Sequence, residues 1–168
     1  MTAMNSKAAQ LRARRFDSLA QEAYLNLWRT YDRLRAEEEA LFARHELTPQ
    51  QYNALRLLRA EHPDTLPTLA LAERLVSRAP DITRLVDKLE ERKLVRRERT
   101  AENRRVVQLG ITAKGLALLD KLAQPVRECG QRQLGHLSSE QLEQLVALLE
   151  AARGPHENLA CEHWAVDK

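Results

Sequence analysis

The sequence from residue 82 to residue 115 reads ITRLVDKLEERKLVRRERTAENRRVVQLGITAKG. Its first ten residues place apolar side chains at intervals of three and four, which is typical of a helix with one buried face. Residues 94–99 and 106–111 have strand character and enclose a polar tip, as in a β-hairpin. A helix followed by such a hairpin predicts the second half of a winged helix-turn-helix.

Upstream, two further helices are predicted. Apolar residues recur at helical spacing from residue 16 to about residue 44, with no Pro or Gly, so this stretch is one long helix. It is longer than a small lobe can cover, and its remaining apolar face indicates a partner chain. The second helix has a clear start, with Thr48 as N-cap, Pro49 at the first helical position and Gln51 completing a capping box.

The remaining helices follow from their start signals. Residues 66–68 open a short helix at 69–75, and Ser77 is predicted to cap a helix from about 78 to 92. In that helix Asp81 would lie in the first turn, where the helix dipole favours an anion. After the hairpin, Thr112 caps a helix, and Ser138 or Ser139 caps the last one.

The predicted fold class is therefore all-α dominated: a winged helix-turn-helix with a two-stranded β-wing and long N- and C-terminal dimerisation helices. The winged helix-turn-helix lobe spans residues 47–112. The N-terminal dimerisation helix spans 16–46, and the C-terminal dimerisation helices span 113–152. Residues 1–15 form an N-terminal arm or an extra helical turn, and residues 153–168 form a tail.

The composition excludes several classes of protein. The chain has 43% hydrophobic residues, 30% charged residues and a net charge of +3, a globular balance. No apolar run has the length of a signal peptide core or a membrane span. Two cysteines are too few for a disulfide scaffold. We expect a cytoplasmic protein with no membrane partner, no cofactor and no catalytic site.

The polar outer face of the helix predicted at 78–92 is the surface expected to enter the major groove. Arginine can bind guanine through two hydrogen bonds, aspartate can accept from a cytosine amine, and small methyl groups can touch thymine. The sequence leaves open which residues read bases. The candidate DNA contacts of this helix are Ser77, Arg78, Ala79, Asp81, Thr83, Arg84 and Lys88.

The hairpin is strongly basic. Residues 95–105 contain five arginines and two glutamates, a local net charge of +3 that equals that of the whole chain. A charged outer face is usually only solvated, but clustered arginines on a hairpin suit a narrow, electronegative minor groove. The wing's candidate contacts with double-stranded DNA are Arg97, Arg99, Arg104 and Arg105.

These motifs resemble the MarR (multiple antibiotic resistance regulator) family. The similarity lies in TRLVDKLE at 83–90, LVRR at 94–97, NRR at 103–105, ITAKG at 111–115 and the helix opening LTPQQY at 47–52. The resemblance covers roughly residues 16–150. It implies a triangular dimer joined by the ends of both chains, acting on a pseudo-palindromic operator. It also implies repression of nearby genes, often relieved by small aromatic or anionic compounds, with Arg105 as the minor-groove arginine.

Two positions depart from the family pattern. Asn103 stands where the family usually has an aspartate that braces the wing arginine, so the brace lacks charge assistance. Lys93 stands where a glycine is usual, so this helix must end without glycine.

An effector site is predicted in the crevice between the dimer helices and the DNA-binding lobe. Trp28 and Tyr31 are aromatic side chains that could stack on a planar ligand, and Arg29 and Arg56 could balance its negative charge. The alternative is that Trp28 and Tyr31 fill the dimer core.

Other functions were weighed against DNA binding. A winged-helix module used only for protein–protein interaction would not need clustered wing arginines. A cysteine-based redox sensor is a further alternative, although Cys129 lies on an apolar stripe as a core residue would. His156, Cys161 and His163 match no standard zinc spacing, so no metal site is predicted. No sequence motif of an enzyme was found.

Overall fold

The computed structural model of the chain describes residues 16–76, 81–99 and 106–156. The chain divides into two compact units between Glu38 and Glu39. The first helix, α1, spans Leu19–Ala43 and crosses this division. Its extent agrees with the long helix predicted from residue 16 to residue 44. Within the first unit, nearly every described residue of α1 is exposed in the single chain.

The second unit contains the other elements in the order of a winged helix-turn-helix followed by two helices. They are α2 (Pro49–Glu61), β1 (Leu66–Pro67), α3 (Thr68–Arg74), α4 (Ile82–Glu91), β2 (Val95–Arg99), β3 (Val107–Ile111), α5 (Ala113–Leu134) and α6 (Ser139–Arg153). A single 3₁₀ turn, Gly154–His156, follows α6. This mostly helical architecture confirms the predicted fold class.

The predicted helix starts are formed by side-chain caps. Thr48 accepts from the N–H of Gln51, and the Gln51 side chain accepts from the N–H of Thr48, which completes the capping box of α2. Ser138, not Ser139, is the N-cap of α6 and forms a second capping box. Thr112 caps α5 by accepting from the N–H of Gly115.

The start of α4 differs from the prediction. The helix begins at Ile82, four residues later than expected, and its N-cap is Asp81. The Asp81 carboxylate accepts from the N–H of Arg84 at 2.9 Å, which satisfies a backbone donor of the first turn. Asp81 itself has non-helical dihedral angles, as an N-cap requires. The predicted cap, Ser77, lies outside the described residues.

The sheet has one more strand than predicted. Its order is β1-β3-β2, and both pairings are antiparallel. Strands β2 and β3 form the predicted two-stranded wing, whereas β1 was predicted as the opening of the third helix. Leu66 pairs with Leu109, so two residues ahead of α3 attach the helix-turn-helix to the wing.

The core of the second unit is made of aliphatic side chains, and α2 lies at its centre. Helix α2 contacts α3, α4, α5 and β3. Phe42 at the end of α1 stacks on Tyr52 with ring centroids 4.4 Å apart. The largest fully buried side chains are Phe42, Leu55, Leu58, Leu71, Val86, Leu89, Leu94, Leu109, Ile111, Leu119 and Leu122. This core gives α4 and the wing a common support.

Candidate nucleic-acid interface

Helix α4 has one buried face and one polar face. Val86 and Leu89 are 0% exposed and hold the helix against the core. On the opposite side, Thr83, Arg84 and Lys88 are exposed, as the sequence predicted for base-reading positions. Among the described residues, no ion pair ties Arg84 or Lys88. Both side chains can therefore reach a phosphate or a base edge.

Asp81 is already in use as the N-cap of α4. One carboxylate oxygen, Oδ1, accepts from the Arg84 N–H, and the residue is exposed. The carboxylate therefore fixes the backbone of the first turn at Arg84. The second oxygen is the atom with which Asp81 would accept from a cytosine amine.

The C-terminal end of α4 closes with a left-handed residue. Lys93 has φ 59°, its N–H donates to Glu90 O, and the N–H of Leu94 donates to Leu89 O. These two bonds form a Schellman motif, which usually has glycine at the position of Lys93. Lys93 therefore takes the left-handed conformation in which glycine is the usual residue.

Helix α1 ends in the same way, and Arg92 connects the two ends. Glu46 has φ 55°, and the N–H of Leu47 donates to Phe42 O. The Arg92 guanidinium donates to the carbonyl oxygens of Glu46 at 2.5 Å and His45 at 3.0 Å. Arg92 therefore satisfies carbonyls at the end of α1 from the cap position of α4.

The start of α5 holds the same end of α4 from another side. Lys114 Nζ donates to Arg92 O at 2.8 Å, and Thr112 Oγ1 donates to Lys93 O at 2.7 Å. Gly115 approaches closely: a Cβ atom there would meet the carbonyl oxygen of Leu94 and would lie 2.7 Å from Ile111 Cγ1. Thr112, Lys114 and Gly115 after the wing therefore hold the C-terminal end of α4 in place.

The wing arginines are divided between the two faces of the sheet. Side chains of a strand alternate, so Arg96 and Glu98 lie on one face, and Arg97 and Arg99 lie on the other. Arg96 is paired with Glu98, and its guanidinium lies 3.1–3.2 Å from the position that a Cβ atom would take at Gly110 on the neighbouring strand.

Arg97 turns toward α4. Its Nη1 donates to Glu90 Oε2 at 2.6 Å and its Nη2 donates to Asp87 Oδ1 at 2.5 Å. Arg99 is exposed, and no ion pair ties it among the residues that the structure describes. Of the arginines of β2, Arg99 is the one without an acidic partner in this part of the chain.

Five candidate DNA contacts lie outside the described residues: Ser77, Arg78, Ala79, Arg104 and Arg105. Asn103, the predicted brace of the wing arginine, also lies outside them. The described part of the interface therefore consists of the outer face of α4 and strand β2.

The candidate effector residues occur in both units. In the first unit, Tyr24, Trp28 and Tyr31 follow each other at intervals of four and three on one side of α1. The rings of Tyr24 and Trp28 are 6.3 Å apart, and Trp28 is 59% exposed. Arg29 is exposed on the same helix. In the second unit, Arg56 is half-buried on α2.

The other weighed sites have a simpler structural role where they are described. Cys129 is buried in the hydrophobic core cluster, which confirms its interpretation as a core residue. His156 lies in the 3₁₀ turn, while Cys161 and His163 lie outside the described residues. Within residues 16–76, 81–99 and 106–156, no group of His, Cys, Asp or Glu is arranged to hold a metal ion. No helix of that part of the chain is long and apolar enough to cross a bilayer.

Sequence reasoning missed three connections within the second unit. The first is the pairing of Arg97 with Asp87 and Glu90, and the second is the contact of Arg92 with the end of α1. The third is strand β1. Only the first had a usable signal, because Asp87 and Glu90 are three residues apart and share a helix face.

Comparison with known proteins gives consistent matches. The MarR family model matches residues 47–107. A MarR transcription factor from Planctomyces limnophilus is 57% identical, with a TM-score of 0.65 over 81% of this chain and 98% of that chain. MepR from S. aureus, crystallised with DNA, is 26% identical with a TM-score of 0.70, covering 79% of this chain and 97% of its own. PcaV from Streptomyces coelicolor, crystallised with its natural ligand, is 24% identical with a TM-score of 0.65. The match covers 75% of this chain and 90% of that chain.

Proposed function

Since this chain belongs to the MarR family of DNA-binding transcription regulators, we propose that it is a repressor that occupies a pseudo-palindromic operator as a dimer. Membership of this non-enzymatic family confirms that the chain is not an enzyme. It also sets aside the alternative of a winged-helix module without DNA binding. Repression follows when an operator-bound dimer excludes the transcription machinery from overlapping DNA.

The observation that carries the proposal is the exposed polar face of α4 beside a basic wing. Thr83, Arg84 and Lys88 project from a helix whose other face is fully buried. In helix-turn-helix proteins this helix lies in the major groove, and its N-terminal residues contact base edges. Arg99 on β2 can contact a phosphate, and Arg105, beyond β2 in the sequence, is proposed to enter the minor groove.

Two arginine variants test whether Arg84 reads a base and Arg105 contacts the minor groove. Arg84→Ala should relax the preference for one base pair in each half-site, at a cost of about 1–3 kcal/mol on the best operator. Arg105→Ala should weaken binding to every sequence with an A·T-rich minor groove by a similar amount. Selection of duplexes from a random library by each variant measures both effects. Loss of affinity without a change in preference for Arg84→Ala would refute base reading by α4.

We further propose that the apolar face of α1 pairs across a two-fold axis, together with the C-terminal helices. Proteins of this family are dimers. In the single chain Leu19, Leu25 and Leu27 are exposed on α1, as are Val146 and Leu148 on α6. Burial of such side chains is worth roughly 25 cal/mol per Å². Light scattering should give about twice the chain mass of 19.3 kDa, and a monomer would contradict the paired half-sites.

The effector proposed for this chain is a small aromatic acid. Tyr24, Trp28 and Tyr31 offer ring faces along α1, and Arg29 and Arg56 supply positive charge. A ligand regulates only if it binds the DNA-competent and incompetent states unequally. In a dimer, the two recognition helices must lie about 34–36 Å apart to enter successive major grooves. A small rotation that changes this spacing is therefore sufficient to weaken operator binding.

Benzoate titration tests the effector site. In a Trp164→Phe background, benzoate should quench the remaining tryptophan fluorescence and weaken operator binding at the same concentrations. In the same background, Arg29→Ala and Arg56→Ala should each raise the benzoate concentration needed for both effects, because each removes a positive charge proposed to balance the carboxylate. Quenching that leaves operator affinity unchanged would mean that Trp28 belongs to the dimer core, as in the alternative interpretation.

A further inference from the structure

Arg97, Asp87 and Glu90 form a compact ion-pair cluster where the wing meets α4. One guanidinium reaches both carboxylates, because two different nitrogens of Arg97 donate to them at 2.5 and 2.6 Å. Asp87 and Glu90 are three residues apart, so their side chains lie on the same side of the helix. The Arg97 side chain is less than one-third exposed.

Both ends of the Arg97 side chain are fixed. Its backbone is paired with that of Leu109 in the centre of the β2–β3 hairpin, and Leu109 is fully buried. Its guanidinium is held by two residues of α4. A rotation of the wing relative to α4 would break at least one of the two bonds. The side chain therefore fixes the angle between the recognition helix and the wing.

We propose that Arg97 is a positioning residue that holds the wing against the recognition helix and neutralises Asp87 and Glu90, and that it is not a phosphate ligand. The proposal rests on the proposed DNA binding and changes the role of one residue in it. Arg99, two residues further along the same face of β2, is the phosphate ligand of this strand.

The charges explain why neutralisation matters. Asp87 immediately precedes Lys88 and lies one helical turn after Arg84, both of which face outward. Two uncompensated carboxylates beside these cations would repel the phosphate backbone. If Arg97 left them to bind a phosphate, the gain of one contact would be offset by that repulsion. Lysine could not replace arginine here, because a single ammonium lacks the fork that reaches two separate carboxylates.

Salt dependence separates a brace from a phosphate ligand. Log K falls with log salt concentration, and loss of one phosphate contact makes this slope shallower by about 0.9. Loss of a brace leaves the number of released counterions, and therefore the slope, unchanged. Arg99→Met is the matched control, since both arginines lie on one strand and one face. Each substitution is made in the wild-type protein and in an Asp87→Asn/Glu90→Gln background. The probe is a duplex that the wild-type protein selects from a random library.

We expect Arg97→Met to raise the Kd roughly three- to tenfold in the wild-type background and less than about twofold in the neutralised one. Its salt slope should equal that of the wild type in both. Arg97→Lys should lie between the wild type and Arg97→Met. Arg99→Met should raise the Kd by the same factor in both backgrounds and lower the slope by about 0.9.

An equal loss for Arg97→Met in both backgrounds, with a reduced slope, would overturn the proposal and make Arg97 a phosphate ligand. A double-mutant cycle of thermal unfolding midpoints for Arg97→Met and Asp87→Asn tests the contact between these residues without DNA. The two substitutions should be less than additive if the residues are coupled. If the wild-type protein selects no duplex, the proposed function fails, while this cycle still tests the contact. Additive shifts of the thermal midpoint would refute the contact between Arg97 and Asp87.

Discussion

The two ends of the recognition helix α4 are held very differently. The C-terminal end is closed by its own Schellman motif, connected to the end of α1 by Arg92, and held by Lys114 of α5 and by Thr112, the N-cap of α5. The N-terminal end has the Asp81 cap, and the side chains of Thr83 and Arg84 next to it are exposed. A helix that binds DNA needs a fixed backbone and accessible side chains. In α4 the backbone is held mainly at the C-terminal end, and the accessible side chains lie at the N-terminal end.

This difference predicts where substitutions change stability and where they change DNA binding. Residues around the C-terminal end should affect the free energy of unfolding, because they join three elements of the core. Substitution of the exposed side chains that follow the Asp81 cap should leave the free energy of unfolding almost unchanged. Four substitutions test this, beginning with the largest expected effect on stability.

Gly115→Ala should destabilise the protein by about 3 kcal/mol, the upper part of the range for overpacking. The added Cβ would collide with the Leu94 carbonyl and lie 2.7 Å from Ile111 Cγ1, and neither atom belongs to a flexible side-chain end. Gly130→Ala in the same helix is the control, because its Cβ would meet nothing within 4 Å. It should stabilise by about 0.5–1 kcal/mol. Urea unfolding measures both, and equal effects would contradict a close approach at Gly115.

Arg92→Ala should cost about 1.5 kcal/mol, because two carbonyl acceptors at the end of α1 lose a charged donor. Arg59→Ala provides the comparison. The ion pair of Arg59 with Asp120 is 3.8 Å long and well exposed, so its loss should cost less than about 0.5 kcal/mol. If both variants unfold at the same urea concentration, Arg92 does not connect the two helix ends.

Lys93→Gly should stabilise the protein by about 0.5–1 kcal/mol. Lys93 has a left-handed backbone conformation that disfavours every residue with a Cβ atom. The same exchange at Lys121, which is exposed inside α5, should destabilise by about 1 kcal/mol. Opposite signs in chemical unfolding would confirm that the conformation of residue 93, rather than its charge, determines the effect.

Arg84→Ala should change the free energy of unfolding by less than about 0.5 kcal/mol, as is usual for an exposed side chain without a specific contact. The same variant should lose base preference in the selection described above. A loss of stability comparable to that of Arg92→Ala would remove the distinction between the two ends of α4.

Much of the fold followed from local signals in the sequence. Thr48 with Gln51 and Thr112 with Gly115 are caps formed within four residues, so sequence alone locates them. The two wing strands were predicted at 94–99 and 106–111, and each begins within one residue of its predicted start. The outer face of α4 followed in the same way, since burial of Val86 and Leu89 determines which residues point outward.

The remaining features depend on contacts between distant parts of the chain. Strand β1 has two residues and exists because Leu66 pairs with Leu109, and two residues carry no periodicity. Arg92 bonds to residues 46 and 47 positions earlier, which no spacing rule can indicate. The start of α4 was wrong because Ser77 and Asp81 are both suitable N-caps, and the sequence did not distinguish between them.

The small size of β1 has a consequence for how the protein behaves at high concentration. A sheet edge with unpaired N–H and C=O groups can recruit the edge of another molecule, which leads to aggregation. Here one edge is only two residues long and ends in Pro67, which has no N–H to donate. The other edge, β2, has three arginines and a glutamate among its five residues. Neither edge is suited to pairing with another sheet, so the wing can stay exposed for DNA without promoting fibre formation.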